Sequence, residues 1–162
     1  MTAVTTRTAT VTLPTDEQIL ITREFRAPRH LVWRAWTEPE LIRRWWHAKR
    51  GEVTSIDVDL RVGGAWRYVM VAHGDFEVAF HGEYREIEPH ERLVHTEVYE
   101  GAPEGEALTS LTFHDLGGDR TLVSMLVQHT SQEHRDMHVD SGMEDGLQDA
   151  LVLLEGVANS LR

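Results

Sequence analysis

The chain has 162 residues, a formal charge of −11, 27% charged residues and no cysteine. A chain of this length fills one domain and buries roughly 70% of the surface its unfolded form exposes, so a core is attainable without disulfides or metals. The acidic balance repels phosphate backbones and argues against nucleic acid as a partner, and the absence of cysteine excludes a disulfide framework or thiol nucleophile and suits a reducing cytoplasm.

Residues 1–16 read as a flexible N-terminal tail or a weak edge strand, since seven threonines within the first fifteen residues leave little apolar patterning. No apolar h-region follows the first basic residue and no run reaches the length of a membrane span, so neither secretion nor membrane insertion is expected. From Gln18, Ile19, Ile21 and Phe25 share one parity while Thr22, Glu24 and Arg26 share the other, the period of a half-buried strand. Pro28 suits the first turn of a helix carrying Val32, Ala35 and Trp36. Thr37 and Glu40 then fit a capping box for a second short helix, whose apolar side would hold Leu41, Ile42, Trp45 and Trp46.

Strands are predicted at 53–60, 64–72, 76–88, 92–100, 107–115 and 120–128, punctuated by Gly63-Gly64, His73-Gly74-Asp75, Pro89-His90 and Gly117-Gly118-Asp119. Short connections between them imply an antiparallel meander. Two further capping-box patterns, Thr130 to Glu133 and Ser141 to Glu144, predict either a kinked C-terminal helix or a short helix followed by a long one. The stripe Met143, Leu147, Ala150, Leu151, Leu154, Val157, Ala158 and Leu161 must lie on the sheet. The expectation is an α+β helix-grip domain over 17–162: a curved antiparallel sheet of six to seven strands, two short helices after the first strand, and a long C-terminal helix across the sheet.

Four segments in order carry a resemblance: APRHLVWRAWTEPELIRRWW, DVDLRVGGAWRYVM, FHGEYREIEPHERLVHTE and SGMEDG. Together, over about residues 18–161, they resemble the family homologous to the activator of the ninety-kilodalton heat-shock protein ATPase, within the START-like or SRPBCC superfamily. The resemblance implies a cavity between sheet and long helix that holds a small apolar or aromatic molecule, with no cofactor. It also implies two further readings: an enzyme of the polyketide cyclase or dehydratase type, and a chaperone-associated interaction domain. The eukaryotic activator places much of its ATPase stimulation on a separate N-terminal domain, so the chaperone reading ranks third. The sequence departs from the family at His47-Ala48, where Gly-Pro is usual, and at Leu147, where a bulky aromatic is common.

Candidate pocket residues follow from parity and helical spacing. Trp45 and Trp46 could cap the cavity mouth, with plain core burial of at least one as the simpler reading. Trp66, Tyr68 and Met70 share one strand face, and Phe80, Gly82 and Tyr84 share another, but parity does not say which faces are concave. His95 shares parity with Glu97, and His81 with Glu83; a buried His near a carboxylate could do acid–base work, while such pairs on exposed sheet faces are ordinary. Met143 and Leu147 belong to the helical stripe. Gly142 and Gly146 read as interior helical glycines kept for close packing or ligand space. His134 and His138 stand at i, i+4, but two imidazoles make half a zinc shell and the H-E-x-x-H arrangement is missing, so no metal is expected. Acidic runs such as EYREIEPHERLVHTE read as solvated sheet edges.

Overall fold

The computed structural model describes residues 8–162. The elements are β1 (Thr10–Thr12), β2 (Gln18–Phe25), α1 (Arg29–Thr37), α2 (Pro39–Ile42), β3 (Gly51–Val58), β4 (Ala65–Ala72), β5 (Phe76–Glu88), β6 (Arg92–Tyr99), β7 (Ala107–Gly117), β8 (Arg120–Gln128), α3 (Gln132–Asp140) and α4 (Met143–Asn159). The strands form one antiparallel sheet in the order β1-β2-β8-β7-β6-β5-β4-β3. This is the α+β helix-grip arrangement, with eight strands rather than six to seven.

The extra strand comes from the expected tail. Thr10–Thr12 pairs with Leu20–Thr22, and Ala9 is buried with its backbone hydrogen-bonded both ways to the Gln148 side chain of α4. The expectation for residues 1–7 lies outside the described residues.

Local signals at the helix starts resolve differently from the sequence patterns. Pro28 is the N-cap of α1 rather than its first residue, and the Thr37 hydroxyl donates to the Trp33 carbonyl, so it is spent inside α1 instead of capping α2. Glu38 occupies the α2 N-cap with Pro39 at the first helical position. That helix ends at Ile42, which places Trp45 and Trp46 in the turns that follow. At the other end Ser131, not Thr130, caps α3 by accepting from the His134 N–H at 3.1 Å. Ser141 closes α3, and Gly142 starts α4 at φ 82°, a left-handed conformation that explains this glycine without any packing argument. The C-terminal segment is therefore two helices.

Bulges between Val53 and Ser55 in β3, between Tyr84 and Glu86 in β5, and between Asp115 and Gly117 in β7 interrupt the register. An extra residue in one strand bends it and increases the local twist, which curves the sheet around α4. At one end of this grip the space is filled. Phe25, Trp33, Trp36 and Phe113 pack edge to face at 5.3–6.0 Å, and Leu154, Val157 and Ala158 of α4 are buried in the same core cluster. Arg23, on the apolar parity of β2, is buried there and bonds Glu155 of α4 at 3.1 Å, while the Arg26 N–H also donates to Glu155.

Candidate functional site

At the other end the grip is hollow. A cavity of about 310 Å3 lies between α4 and the sheet, and all eleven predicted residues line it: Trp45, Trp46, Trp66, Tyr68, Met70, Phe80, Tyr84, His95, Met143, Gly146 and Leu147. The inward row is thus the one that carries Trp66, Tyr68 and Met70. The cross-strand register explains the grouping, because Tyr68 faces Phe80, Trp66 faces Gly82, and Tyr84 faces His95.

Aromatic rings form the walls. Trp46 meets Tyr68 at 5.5 Å and 71°, and Phe80 at 5.9 Å and 86°, edge to face. Trp66 lies 4.7 Å from Tyr68 and 5.2 Å from His95. Trp45 instead belongs to the filled end, buried against Trp36 with its indole N–H donating to the Ala35 carbonyl at 2.8 Å. It separates cavity from core. Gly82 has a neighbour-driven reason: a Cβ there would fall on the Thr96 carbonyl and the Trp66 indole nitrogen, so the glycine serves strand packing.

The floor is polar. The His95 Nδ1 lies 3.1 Å from the Thr96 carbonyl and must be its donor, which leaves Nε2 as a lone-pair acceptor in the neutral ring. Burial lowers the His95 pKa to about 4 against that hydrogen bond. Two residues along β6, burial alone raises Glu97 to about 7, so its carboxyl is protonated in part of the population at neutral pH. Both side chains keep some accessible surface because cavity space touches them. Burial lifts Tyr68 well above the ordinary phenol value, assisted by the charges of Tyr84 and Glu97, and lifts Tyr84 to about 12 against hydrogen bonding from Tyr68. Opposite His95 in the register stands Thr109, whose buried hydroxyl has no hydrogen-bond partner among the described residues.

Arg50 lies at the mouth, donating to the Ala48 carbonyl and, at 2.8 Å, to Asp149 of α4. Gly146 sits beneath it: a Cβ there would meet only the Arg50 guanidinium, at 3.8–3.9 Å, and no sheet atom within 4 Å. The departure at His47-Ala48 shapes this same rim. Ala48 and Lys49 both have positive φ, at 51° and 63°, and the His47 ring accepts from the Lys49 N–H at 3.0 Å.

A second opening, lined by Val78, Phe80, Glu97, Tyr99, His129, His138 and Met143 among others, shares Phe80, Glu97, His138 and Met143 with the first. The expected His134–His138 surface pair does not exist here. His138 turns inward to bond His129 at 3.0 Å, while His134 approaches the Thr130 hydroxyl at 3.5 Å. Burial and the charge of His129 hold His138 down at about 4; burial and the charges of His134 and Arg135 lower His129. Among the described residues no group of three His, Cys, Asp or Glu side chains is placed to hold a metal ion. His81 is on the outer face, where Glu100 takes it at 2.8 Å together with a two-pronged Arg67 contact; Glu83 pairs with Arg85.

Sequence reasoning named the walls but missed Arg50, Thr109, and the place of His138 within the cavity lining. Only Thr109 carried a signal, as a polar residue on an otherwise apolar strand row with Leu111 and Phe113.

The family described as activator of Hsp90 ATPase homolog 1-like protein matches residues 26–159. Among solved structures, a Rhodobacter sphaeroides protein superposes with a TM-score of 0.86 at 25% identity, covering 94% of this chain and 99% of its own. A Nitrosomonas europaea protein gives 0.82 at 24% identity, with 91% and 97% covered. An Aeromonas hydrophila protein described as like the activator homolog gives 0.66 at 24% identity, with 85% and 92% covered. No curated protein matches the sequence. Among the described residues no helix is long and apolar enough to cross a membrane.

Proposed function

We propose that this chain, which belongs to the activator of Hsp90 ATPase homolog 1-like family and has its START-like fold, binds a small, mainly apolar or aromatic molecule between α4 and the sheet. The observation that carries the reading is the contrast within the cavity. Aromatic walls and the side chains of Met70, Met125 and Met143 surround a floor of three polar groups, His95, Glu97 and Thr109. A concave, mostly apolar space with a few converging polar groups is the usual form of a small-molecule site. The cysteine-free composition fits a reducing cytoplasm as its place of work.

A thermal-shift panel of fatty acids, flavonoids, sterols, aromatic polyketides and aromatic amines tests the proposal. A compound at 100 times its dissociation constant stabilises the native state by about 2.7 kcal/mol. A reproducible shift confined to one chemical class supports the site; a flat response across the panel counts against it.

A second reading, catalysis, is favoured by one observation: a neutral imidazole acceptor and a carboxyl with a pKa of about 7 stand two residues apart on one strand, facing the same space. Such a pair can accept and donate protons at neutral pH. Any compound that shifts the melting temperature is then incubated with the protein and followed for turnover. Product formation abolished by both His95→Ala and Glu97→Gln supports chemistry, and an unchanged compound leaves binding as the function.

A further inference from the structure

We infer that the molecule taken by this cavity is an organic cation, a protonated or quaternary amine on an apolar or aromatic body, held against the rings of Trp46, Tyr68 and Phe80 with Glu97 as its counter-ion. The inference rests on the ligand-binding reading above and narrows it to one chemical class.

Three observations carry it. First, Trp46, Tyr68 and Phe80 meet at steep angles of 71° and 86°, so they stand as walls of a box instead of stacking face on face. All three line the space that Glu97 faces, and a desolvated cation placed against aromatic rings is attracted to them. Second, Glu97 faces the same space, burial raises its carboxyl, and among the described residues no hydrogen bond or opposite charge offsets that. A lone buried carboxylate is costly, and an apolar guest would remove its remaining water, whereas a cation restores a partner. Third, the protein carries a formal charge of −11, which raises the local concentration of cations around it.

The groups facing Glu97 from neighbouring elements permit this. Tyr68 and Tyr84 stay protonated, and His95 and His138 stay neutral above about pH 4. His129 is lowered as well, and its Nε2 is engaged by His138. His134 and Tyr99 line the second opening. At the first opening the His47 ring nitrogens both meet backbone groups, Lys49 N–H and Arg44 carbonyl, and Arg50 is already paired with Asp149. A cation beside Glu97 therefore meets a carboxylate and aromatic side chains, with the Arg50 charge answered at the rim.

Binding a permanent cation must favour the ionised carboxyl and lower its pKa from about 7. Affinity then tightens as pH rises toward 7, by at most about tenfold per pH unit for a single linked proton, and levels off above it.

The test compares phenyltrimethylammonium with its uncharged isostere tert-butylbenzene, titrated into the full chain and followed by tryptophan fluorescence between pH 5 and 8. The charge of the first compound does not titrate, so any pH dependence is the protein's. Expected is at least tenfold tighter binding of the ammonium compound at pH 8, a preference that shrinks toward pH 5 and disappears in Glu97→Gln. Glutamine has the shape of the protonated acid, and continued binding of tert-butylbenzene by Glu97→Gln certifies its fold. Equal binding of the two compounds, or a preference for the neutral one, overturns the cation inference and leaves the apolar pocket standing. A cation preference that survives Glu97→Gln overturns Glu97 as the counter-ion. No binding of either compound overturns the inference and counts against the pocket as well.

Discussion

The two ends of the helix grip are built from the same pair of elements, α4 and the concave sheet face, yet one is solid and the other hollow. At the solid end α1 inserts Trp33 and Trp36 between helix and sheet, and Leu154 is fully buried above them. At the hollow end no element fills that layer: the turns after α2 bring Trp45, Trp46, His47, Ala48 and Arg50 only to its edge, and Met143, Gly146 and Leu147 look onto open space. The difference teaches that tight packing and open space are divided along one helix. The solid end holds the fold, so the hollow end can leave apolar and polar surface unpartnered.

Substitutions should therefore have unequal effects at the two ends. The largest belongs to Glu155→Ala, which takes the carboxylate away from buried Arg23; removing one partner of a buried pair costs about 3–5 kcal/mol, and urea unfolding should register it. A smaller loss from this variant than from Leu147→Ala would reverse the assignment of the ends. Next is a matched comparison on α4: Leu154→Ala should cost about 2–5 kcal/mol, and Leu147→Ala less than about 1 kcal/mol because its neighbourhood is already empty.

The third prediction concerns pH. Glu97 has a folded pKa of about 7 against 4.5 for the free group, so it costs nothing below pH 4.5 and destabilises progressively as pH rises to 7. Glu97→Gln should leave stability at pH 4.5 nearly unchanged and raise it at pH 8 by up to about 3 kcal/mol. The histidines act in the opposite sense. His95 and His138 have folded values near 4 against 6.5, so their neutral forms support the fold above pH 6.5 and that support is lost as pH falls toward 4. A stability profile flat between pH 4 and 8, in both the parent and Glu97→Gln, would contradict the burial of all three groups.

The smallest effect on stability, with a clear effect on binding, is expected from Gly146→Leu. A side chain there meets only the movable end of Arg50, so folding should be retained, while the mouth fills and affinity for any compound found in the screen drops at least about tenfold. Unchanged affinity would place the compound elsewhere.

Much of this was legible in the sequence because period-two rows and turn residues act locally. Seven strands could be placed from those signals, and the helical stripe from Met143 to Leu161 located the element above the cavity. The eighth strand was ambiguous because Thr10–Thr12 has no apolar alternation; its pairing depends on β2 and on Gln148, far along the chain. Trp66, Tyr68 and Met70 could be grouped on one face, but whether that face is concave depends on strand curvature, which bulges set at a distance. Strand β6 shows why parity alone fails: Val94, Thr96 and Val98 on its outer row are as buried as Leu93 on the inner one. The Arg23–Glu155 pair was missed because its partners are 132 residues apart, although each interrupts an otherwise apolar row, a conflict that only mutual burial resolves. The isolation of Glu97 is likewise a property of its neighbours on other elements.

The most direct test of a hollow, ligand-binding end is a titration of methyl-labelled methionine with 1-naphthol, observed by NMR. Met70, Met125 and Met143 line the cavity from β4, β8 and α4. If the compound enters between helix and sheet, these three methyl signals shift together and saturate at one dissociation constant, and Gly146→Leu abolishes the shifts. Binding that leaves all three signals unmoved, or that persists in Gly146→Leu, would contradict the account.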